Sequence, residues 1–427
     1  MPRKQIAMIA AASLTALSAL SACSSSGGKT KDDALVRADA ARATVPATTV
    51  TAAATSANSF GLDVFHAVAD GQADNVMVSP TSLATVLAML MPGAKGQTAA
   101  EMAKTLRTSL PADQFAAALG ALNSATVQRT LADKADMQQF DTAWTQKGYA
   151  IQQPYLKTLA AAFDTGIHET DFQSAPEAAR RMINKTVQDQ TNGLIKDLFG
   201  PGSLDATTRL ALTDALYFKA KWAAEFEKSD TTDKPFHLLN GSTHNVPMMS
   251  DSHEYGYAEG NGWQYAELPY QKEHMAMGVL LPAAGTFDTF RKSLTADQLA
   301  TMTGSLSDTK VDLELPKFTF DTDLELTKAL KSLGMTSIFD PAAADLSGIP
   351  AKPEKLTVST VVQKTHVAVD EEGTTAAAAS GVAVGTAARV DPGQPAVMHV
   401  DRPFLFLIRD TVSGQILFLG QVTDPQR

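Results

Sequence analysis

The sequence predicts an α+β fold, and three observations carry that reading. Apolar residues recur at helical spacing through much of the first half, whereas the second half is dominated by runs with strand character. No linker interrupts residues 58–427, so one large domain is expected there. With 427 residues, 44% of them hydrophobic and 19% charged, the chain can bury a core that needs no disulfide staples.

The elements follow in order. Phe60, Val64, Phe65 and Val68 fall on one helical face, and Asn75 to Val78 is a short extended run stopped by Ser79-Pro80. Ser82 to Met91 reads as an apolar helix ended by Pro92-Gly93, and helical spacing continues over 97–106 and 114–122. Residues 134–144 and 149–163 bring strand and helix in turn, and 178–190 is helical up to Thr191-Asn192-Gly193. Leu210 to Phe218 reads as a buried strand, and 263–269 and 275–281 as a strand pair. Val311, Leu313 and Leu315 alternate within a run to Phe320, and a helix over 324–333 is capped by Gly334. Residues 356–370, 396–400, 404–409 and 415–422 are strand-like.

The amino terminus has the pattern of a targeting segment. Arg3 and Lys4 precede an apolar run from Ile6 to Leu20, closed by Leu20-Ser21-Ala22-Cys23. That ending resembles the bacterial lipoprotein cleavage box, in which the cysteine becomes the lipidated first residue. Cys23 is the only cysteine, so no internal disulfide is possible. The expectation is a signal peptide over 1–22 and a flexible Ser/Gly/Ala/Thr linker over 23–57, whose last residues are able to begin the first helix. The alternative is an uncleaved anchor, since Gln5 to Ala22 is uncharged and nearly long enough to span a bilayer. Both place the domain outside the cytoplasm, lipid-anchored at the outer face of a bacterial membrane in the favoured reading.

The net charge of −10 argues against nucleic acid. Residues 92–98 (PGAKGQT) lack the spacing and the Lys-Ser/Thr pair of a phosphate loop, and there is no G-x-S-x-G nucleophile elbow. The eight histidines never fall at metal-ligand spacing, so no metal is expected. Glu371 and Glu372 are adjacent and would point to opposite faces of a strand, which suits an acid–base pair poorly. No enzyme site emerges.

One stretch remains unexplained, EEGTTAAAASGVAVGTAARVDPGQP over 371–395, a small-residue loop between two strand-like segments. It sits within a series of motifs that together resemble the serpins, the serine protease inhibitor family. Asn75-Val76-Met77-Val78-Ser79-Pro80-Thr81-Ser82 is similar to the family's N-x-x-x-S-P-x-S opening. Ile183-Asn184 through Thr191-Asn192-Gly193-Leu194-Ile195, and Ala215-Leu216-Tyr217-Phe218-Lys219-Ala220-Lys221-Trp222, resemble two further family motifs. Val246-Pro247-Met248-Met249, Glu267-Leu268-Pro269-Tyr270, Leu315-Pro316-Lys317-Phe318, Leu333-Gly334-Met335, 345–349 (DLSGI) and Asp401-Arg402-Pro403-Phe404 continue the series in order. The resemblance implies the serpin fold, with multiple helices, three β-sheets and an exposed reactive-centre loop over about 371–395.

It also implies a suicide-substrate inhibitor. Glu371, Glu372, Gly373, Thr374, Ala376, Ala378 and Ser380 are similar to the hinge of inhibitory members. From Thr374 onward the hinge is small, uncharged and free of proline, as a strand entering a sheet requires. Strand addition by serpin loops is itself a recorded recognition mode. Counted from Glu371, the family's spacing puts the reactive bond at Ala387–Ala388, with Arg389 as an alternative bait. Ala387 would suit elastase-like or subtilisin-like serine proteases, Arg389 trypsin-like ones, and a cysteine protease is a further candidate. Ser79, Ser82, Asp214, Trp222 and Gln363 resemble the family's shutter and breach, with Asp214 where Asn is usual and Gln363 where His is frequent. Without a titrating imidazole, this cluster is expected to open with little pH dependence near neutrality. A monomer without cofactor is expected, and no basic helix stands out for a polyanion. The alternative is a non-inhibitory binding protein of the same fold, cut as an ordinary substrate.

Overall fold

The computed structural model describes residues 34–374 and 394–427. A short strand β1 (Ala34–Val36) precedes helix α1 (Ala47–Ala69). The last residues of the segment read as a linker over 23–57 do begin the first helix, which starts at Ala47. Alanine is the best helix former, and Ala53, Ala54 and Ala57 are buried against the core. The Ala/Thr composition that reads as a spacer is here a close-packing helix face. Gly61 belongs to the same face: a Cβ there would lie 2.2 Å from Pro80.

Strand β2 (Val76–Val78) leads into α2 (Pro80–Leu90), in which every residue is buried. Proline suits the first helical position because its missing N–H has no partner there anyway. Next come α3 (Gly96–Thr105), α4 (Ala112–Ala132), β3 (Asp136–Gln146), α5 (Gln153–Phe163), β4 (Ile167–Thr170) and α6 (Pro176–Gln190). Strands then take over with β5 (Leu210–Lys221), β6 (Thr232–His237), β7 (Thr243–Gly260), β8 (Trp263–Pro269) and β9 (Met275–Pro282). Two short helices, α7 (Phe287–Ser293) and α8 (Ala296–Gly304), precede β10 (Ser307–Pro316), β11 (Phe318–Glu325) and α9 (Thr327–Ser332). The chain closes with β12 (Thr360–Asp370), β13 (Gly373–Thr374), β14 (Ala396–His399), β15 (Phe404–Asp410) and β16 (Ile416–Val422).

The single run expected over 311–320 is two strands. Pro316 has no N–H to continue the ladder, and Lys317 donates its amide to Pro247 O at 2.9 Å as the chain crosses between sheets.

Among the described residues the first sheet has seven strands in the order β1-β4-β3-β5-β13-β12-β11. The second runs β14-β10-β7-β8-β9-β15-β16-β2, with β6 paired to β7. The long β7 pairs with β6 and β10 along one part and with β8 at its end, so hydrogen bonding joins into one surface two of the three sheets that the resemblance implied. Buried α2 packs beneath the first sheet, with Leu83, Leu87 and Leu212 in one core. On the opposite face α6 covers Trp144, Ala211 and Ala215 with Ile183 and Val187. A third cluster, rich in Phe, lies between the two sheets around Phe218, Phe318, Phe404 and Phe406.

Candidate functional site

The middle of the first sheet is closed at one end and wedged apart at the other. β5 and β12 are parallel and directly paired over six positions, from Thr360 opposite Ala211 to Thr365 opposite Leu216. Beyond Leu216 that pairing stops. At the far end β13 lies between them, with Thr374 opposite both Ala220 and Val369 and Gly373 opposite both Lys221 and Asp370. Two hinge residues are thus already strands of the sheet.

Local chemistry fixes that position. Gly373 has φ +153°, and a Cβ would lie 2.1 Å from Ala220 O, so only glycine fits. Asp370 Oδ1 accepts from the amides of Glu372 at 2.9 Å and Gly373 at 3.2 Å, closing a tight turn. Glu371 is buried, taking hydrogen bonds from Lys317 Nζ at 2.7 Å and Thr231 Oγ1 at 2.8 Å. Burial opposes its ionisation, but these donors outweigh it and hold the carboxyl below its ordinary value. Glu372 accepts from Lys228 Nζ at 2.6 Å, which likewise lowers its pKa. The adjacent glutamates therefore serve two separate lysines.

Thr374 is buried, and its hydroxyl lies 2.6 Å from Tyr270 Oη. Tyr270 stacks on Trp222 with ring centroids 4.7 Å apart and planes at 7°. Trp222 Nε1 donates to Asp370 O at 2.9 Å, and its backbone N–H donates to Glu372 O at 3.0 Å. One aromatic stack thus holds both the turn and the first inward residue.

Lower in the seam lies the predicted shutter. Gln363 Nε2 donates to Asp214 Oδ2 at 2.8 Å and to Ser79 O at 3.1 Å, while its Oε1 accepts from Ser79 N at 2.9 Å. The Gln363–Asp214 bond spans β12 and β5, the two strands that meet at the seam. Ser82 Oγ donates to Asp141 Oδ1 on β3 and also lies close enough to Asp214 to favour its ionised form. Asp141 and Asp214 are cross-strand partners on the face toward α2. Burial pushes Asp214 up to about 7, and burial together with the charge of Asp214 raises Asp141 well above the usual carboxylate range. The expectation of a pH-insensitive cluster left out Asp141, the second carboxyl that the fold places opposite Asp214.

The structure brings Ser79, Ser82, Asp214 and Gln363 together, and separately Glu371, Glu372, Gly373, Thr374 and Trp222. Cys23, Ala376, Ala378, Ser380, Ala387, Ala388 and Arg389 lie outside the described residues. Sequence reasoning missed Asp141, Tyr270, Lys317 and Lys228 as parts of these clusters. Tyr270 and Lys317 stood inside quoted motifs, and Asp141 occupies an inward position of a strand, where an acid without a partner is a signal. No helix among the described residues is long and apolar enough to cross a membrane, and no group of three or more metal-binding side chains occurs among them.

Comparison with known proteins agrees with this geometry. The family model described as Serpin (serine protease inhibitor) matches residues 55–425. An uncharacterised serpin-like protein of Thermococcus kodakarensis is 36% identical over 370 residues, 86% of this chain and 85% of its own. Plasminogen activator inhibitor 1 of Neovison vison is 34% identical over 88% of this chain and 94% of its own. For the leukocyte elastase inhibitor of Homo sapiens the figures are 33%, 87% and 99%. Among solved structures, the thermophilic serpin tengpin in its native state superposes with a TM-score of 0.80 at 25% identity, covering 92% of this chain and 100% of tengpin. Native protease nexin-1 with heparin gives 0.79 at 27% identity, with 88% and 100% covered. The chain belongs to the serpin family of serine protease inhibitors.

Proposed function

We propose that this protein is a single-use inhibitor that traps a serine protease as an acyl-enzyme. The observation that carries the reading is the seat of Gly373–Thr374 between β5 and β12. Extending the pairing of Thr374 down both strands puts Ala383 opposite Ala211 and Thr360, which are already partners of each other. The register is common to the two sides, so a strand over 374–383 would enter without any slip. Thr374, Ala376, Ala378 and Ser380 would face inward, and Ser380 would arrive between Asp214 and Gln363. Each is small enough for that space.

In this mechanism the protease serine attacks the carbonyl of Ala387. An ester forms, the Ala387–Ala388 peptide bond breaks, and the Ala388 amine leaves with a proton. Residues 378–383 then replace the six direct β5–β12 pairs, forming ladders on both sides. The net gain of hydrogen bonds, each worth about 0.5–1.5 kcal/mol, sums to something on the order of 10 kcal/mol. That gradient drags the acylated protease along and distorts its active site before water cleaves the ester. Elastase-like or subtilisin-like targets suit Ala387. With Cys23 lipidated, the inhibitor would stand at the outer face of a bacterial membrane on the tether that precedes β1.

The test is incubation of the soluble domain with subtilisin, elastase or trypsin, followed by boiling in SDS. The expected product is a band at the summed mass and a released fragment beginning at Ala388; a fragment beginning at Val390 identifies Arg389 as the bait. Cleavage without any covalent band would establish an ordinary substrate instead.

A further inference from the structure

We infer that Asp141 and Asp214 hold a single proton between them, forming a carboxyl–carboxylate pair that ties β3 to β5 directly behind the seam. The two residues are cross-strand partners in the antiparallel β3–β5 ladder, and directly opposed side chains lie within about 4.5–5.5 Å at Cβ. Asp214 is fully buried.

The donors around the pair can be counted by atom. Asp141 Oδ1 accepts from Ser82 Oγ, and its Oδ2 accepts from Gln139 Nε2. Asp214 Oδ2 accepts from Gln363 Nε2. The fourth oxygen, Asp214 Oδ1, is buried and without a partner among the described residues. A proton on that oxygen supplies the missing donor and removes the second negative charge. Two negative charges on opposed side chains, one of them fully buried, repel each other strongly, which favours a proton on one of them.

Among the described residues neither carboxyl forms an ion pair with a Lys, Arg or His side chain. α2 contributes Ser82 and Thr85, Ser79 caps its start, β2 is Val-Met-Val, and β12 contributes Gln363. α4 contributes Asn123, whose side chain donates to Thr85 Oγ1 at 2.8 Å. Arg42, Asp164 and His168 line the cavity beside Asp141. Arg42 donates to Gly120 O at 3.3 Å, Asp164 pairs with Arg37, and the His168 ring packs on Trp144. The upward direction of both carboxyl pKa values agrees with the geometry.

The pH dependence follows from the sign of the shift. Unfolded aspartate titrates near pH 3.9, whereas in the fold Asp214 is pushed up to about 7 and Asp141 is raised well above the usual carboxylate range. Between those values the folded state binds more protons than the unfolded chain. The pair's contribution to folded stability is therefore largest at the acid end and falls as pH rises through the range in which its protons leave. The link to loop entry rests on the proposed inhibitory mechanism, because Gln363 must let go of Asp214 for the seam to part. The proton itself does not depend on that mechanism.

The test measures the unfolding rate of the intact soluble domain at one fixed temperature from about pH 5 to about pH 9. The wild-type rate should rise about five- to tenfold between pH 5 and 7.5, and the Asp141→Asn rate should change less than about twofold over the same range. Infrared spectra should show a protonated-carboxyl band at pH 5.5 that disappears by pH 9 and is missing in Asp141→Asn and Asp214→Asn. If one variant fails to fold, the other and the wild-type spectrum still decide. Equal pH slopes in wild type and Asp141→Asn, or no protonated-carboxyl band, would overturn the pair. So would a slope abolished by added calcium, since a cation would then be the bridging species. Covalent-complex formation with subtilisin is measured separately, so a failed inhibitor with a proton-linked slope refutes the function and keeps the pair.

Discussion

Tyr270 Oη and Thr374 Oγ1 are 2.6 Å apart in a fully buried contact, joining the end of β8 to the first inward-facing residue of the hinge. The bond lies at the wedged end of the seam, where β13 already sits between β5 and β12. Removing either hydroxyl alone leaves the other buried without a partner. Tyr270→Phe should lower the stability of the intact protein by about 1–2 kcal/mol. Denaturant unfolding of Tyr270→Phe, Thr374→Val and the double variant should give a coupling of about 1 kcal/mol, the double costing less than the sum.

Gly373→Ala should expel β13 from its seat, because the new methyl would meet Ala220 O. Holding alanine in this backbone conformation costs about 1–3 kcal/mol before that clash is counted. Hydrogen exchange at the Gly373 and Thr374 amides should rise, and the thermal midpoint should fall by several degrees. Unchanged protection at Thr374 would contradict the tightness of the seat.

Thr374→Arg should convert the inhibitor into a substrate. The side chain at 374 faces the Tyr270–Trp222 stack, where a guanidinium would be buried without a counter-ion. The SDS-stable complex should drop by at least about tenfold, because slowed insertion lets hydrolysis win the race. The released fragment should keep its Ala388 terminus. Undiminished complex would remove the main support for strand entry.

Glu101 supplies a prediction at acid pH. Its Oε2 accepts from the amides of Thr336 at 2.9 Å and Ser337 at 2.7 Å, anchoring α3 to the turn after α9. Burial opposes ionisation, but these amides and Gln97 outweigh it and bring the carboxyl down to about 2. A depressed pKa stabilises the fold above the unfolded value of about 4.3 and loses that contribution as pH falls toward 2. Glu101→Gln should cost about 1 kcal/mol at pH 7, allowing for solvent screening, with the two unfolding curves converging near pH 2.

The parts of the fold legible in the sequence are those where one local rule decides. Strong helical periodicity marks Phe60, Val64 and Phe65, and the alternation of Val311, Leu313 and Leu315 marks β10. The alanine-rich start of α1 was hidden because small residues carry no amphipathic signal; burial of Ala53 and Ala57 depends on partners far along the chain. The division between β10 and β11 shows in the sequence only as a change of phase, the buried positions being odd-numbered up to Leu315 and even-numbered from Phe318.

The site divides in the same way. Glu371 to Thr374 stood out because a run of small residues between strands is unusual. Their partners did not, since Lys317, Lys228 and Tyr270 come from distant segments, and only the fold places them at the hinge. Asp214 and Gln363 were identified from motif positions, yet their electrostatics changed once β3 brought Asp141 opposite. A pairwise reading of motifs cannot supply a third strand.

Trp222 gives the hinge an optical signature. Its indole stacks on the ring that holds Thr374, and its N–H is bound to the carbonyl of Asp370 at the turn. Any movement of β13, inward or outward, must change the polarity and quenching around that indole. With Trp144 and Trp263 replaced by Phe, the emission colour and intensity of Trp222 would report on β13 in real time, and mixing with a protease in a stopped-flow fluorimeter would show whether and when the strand moves.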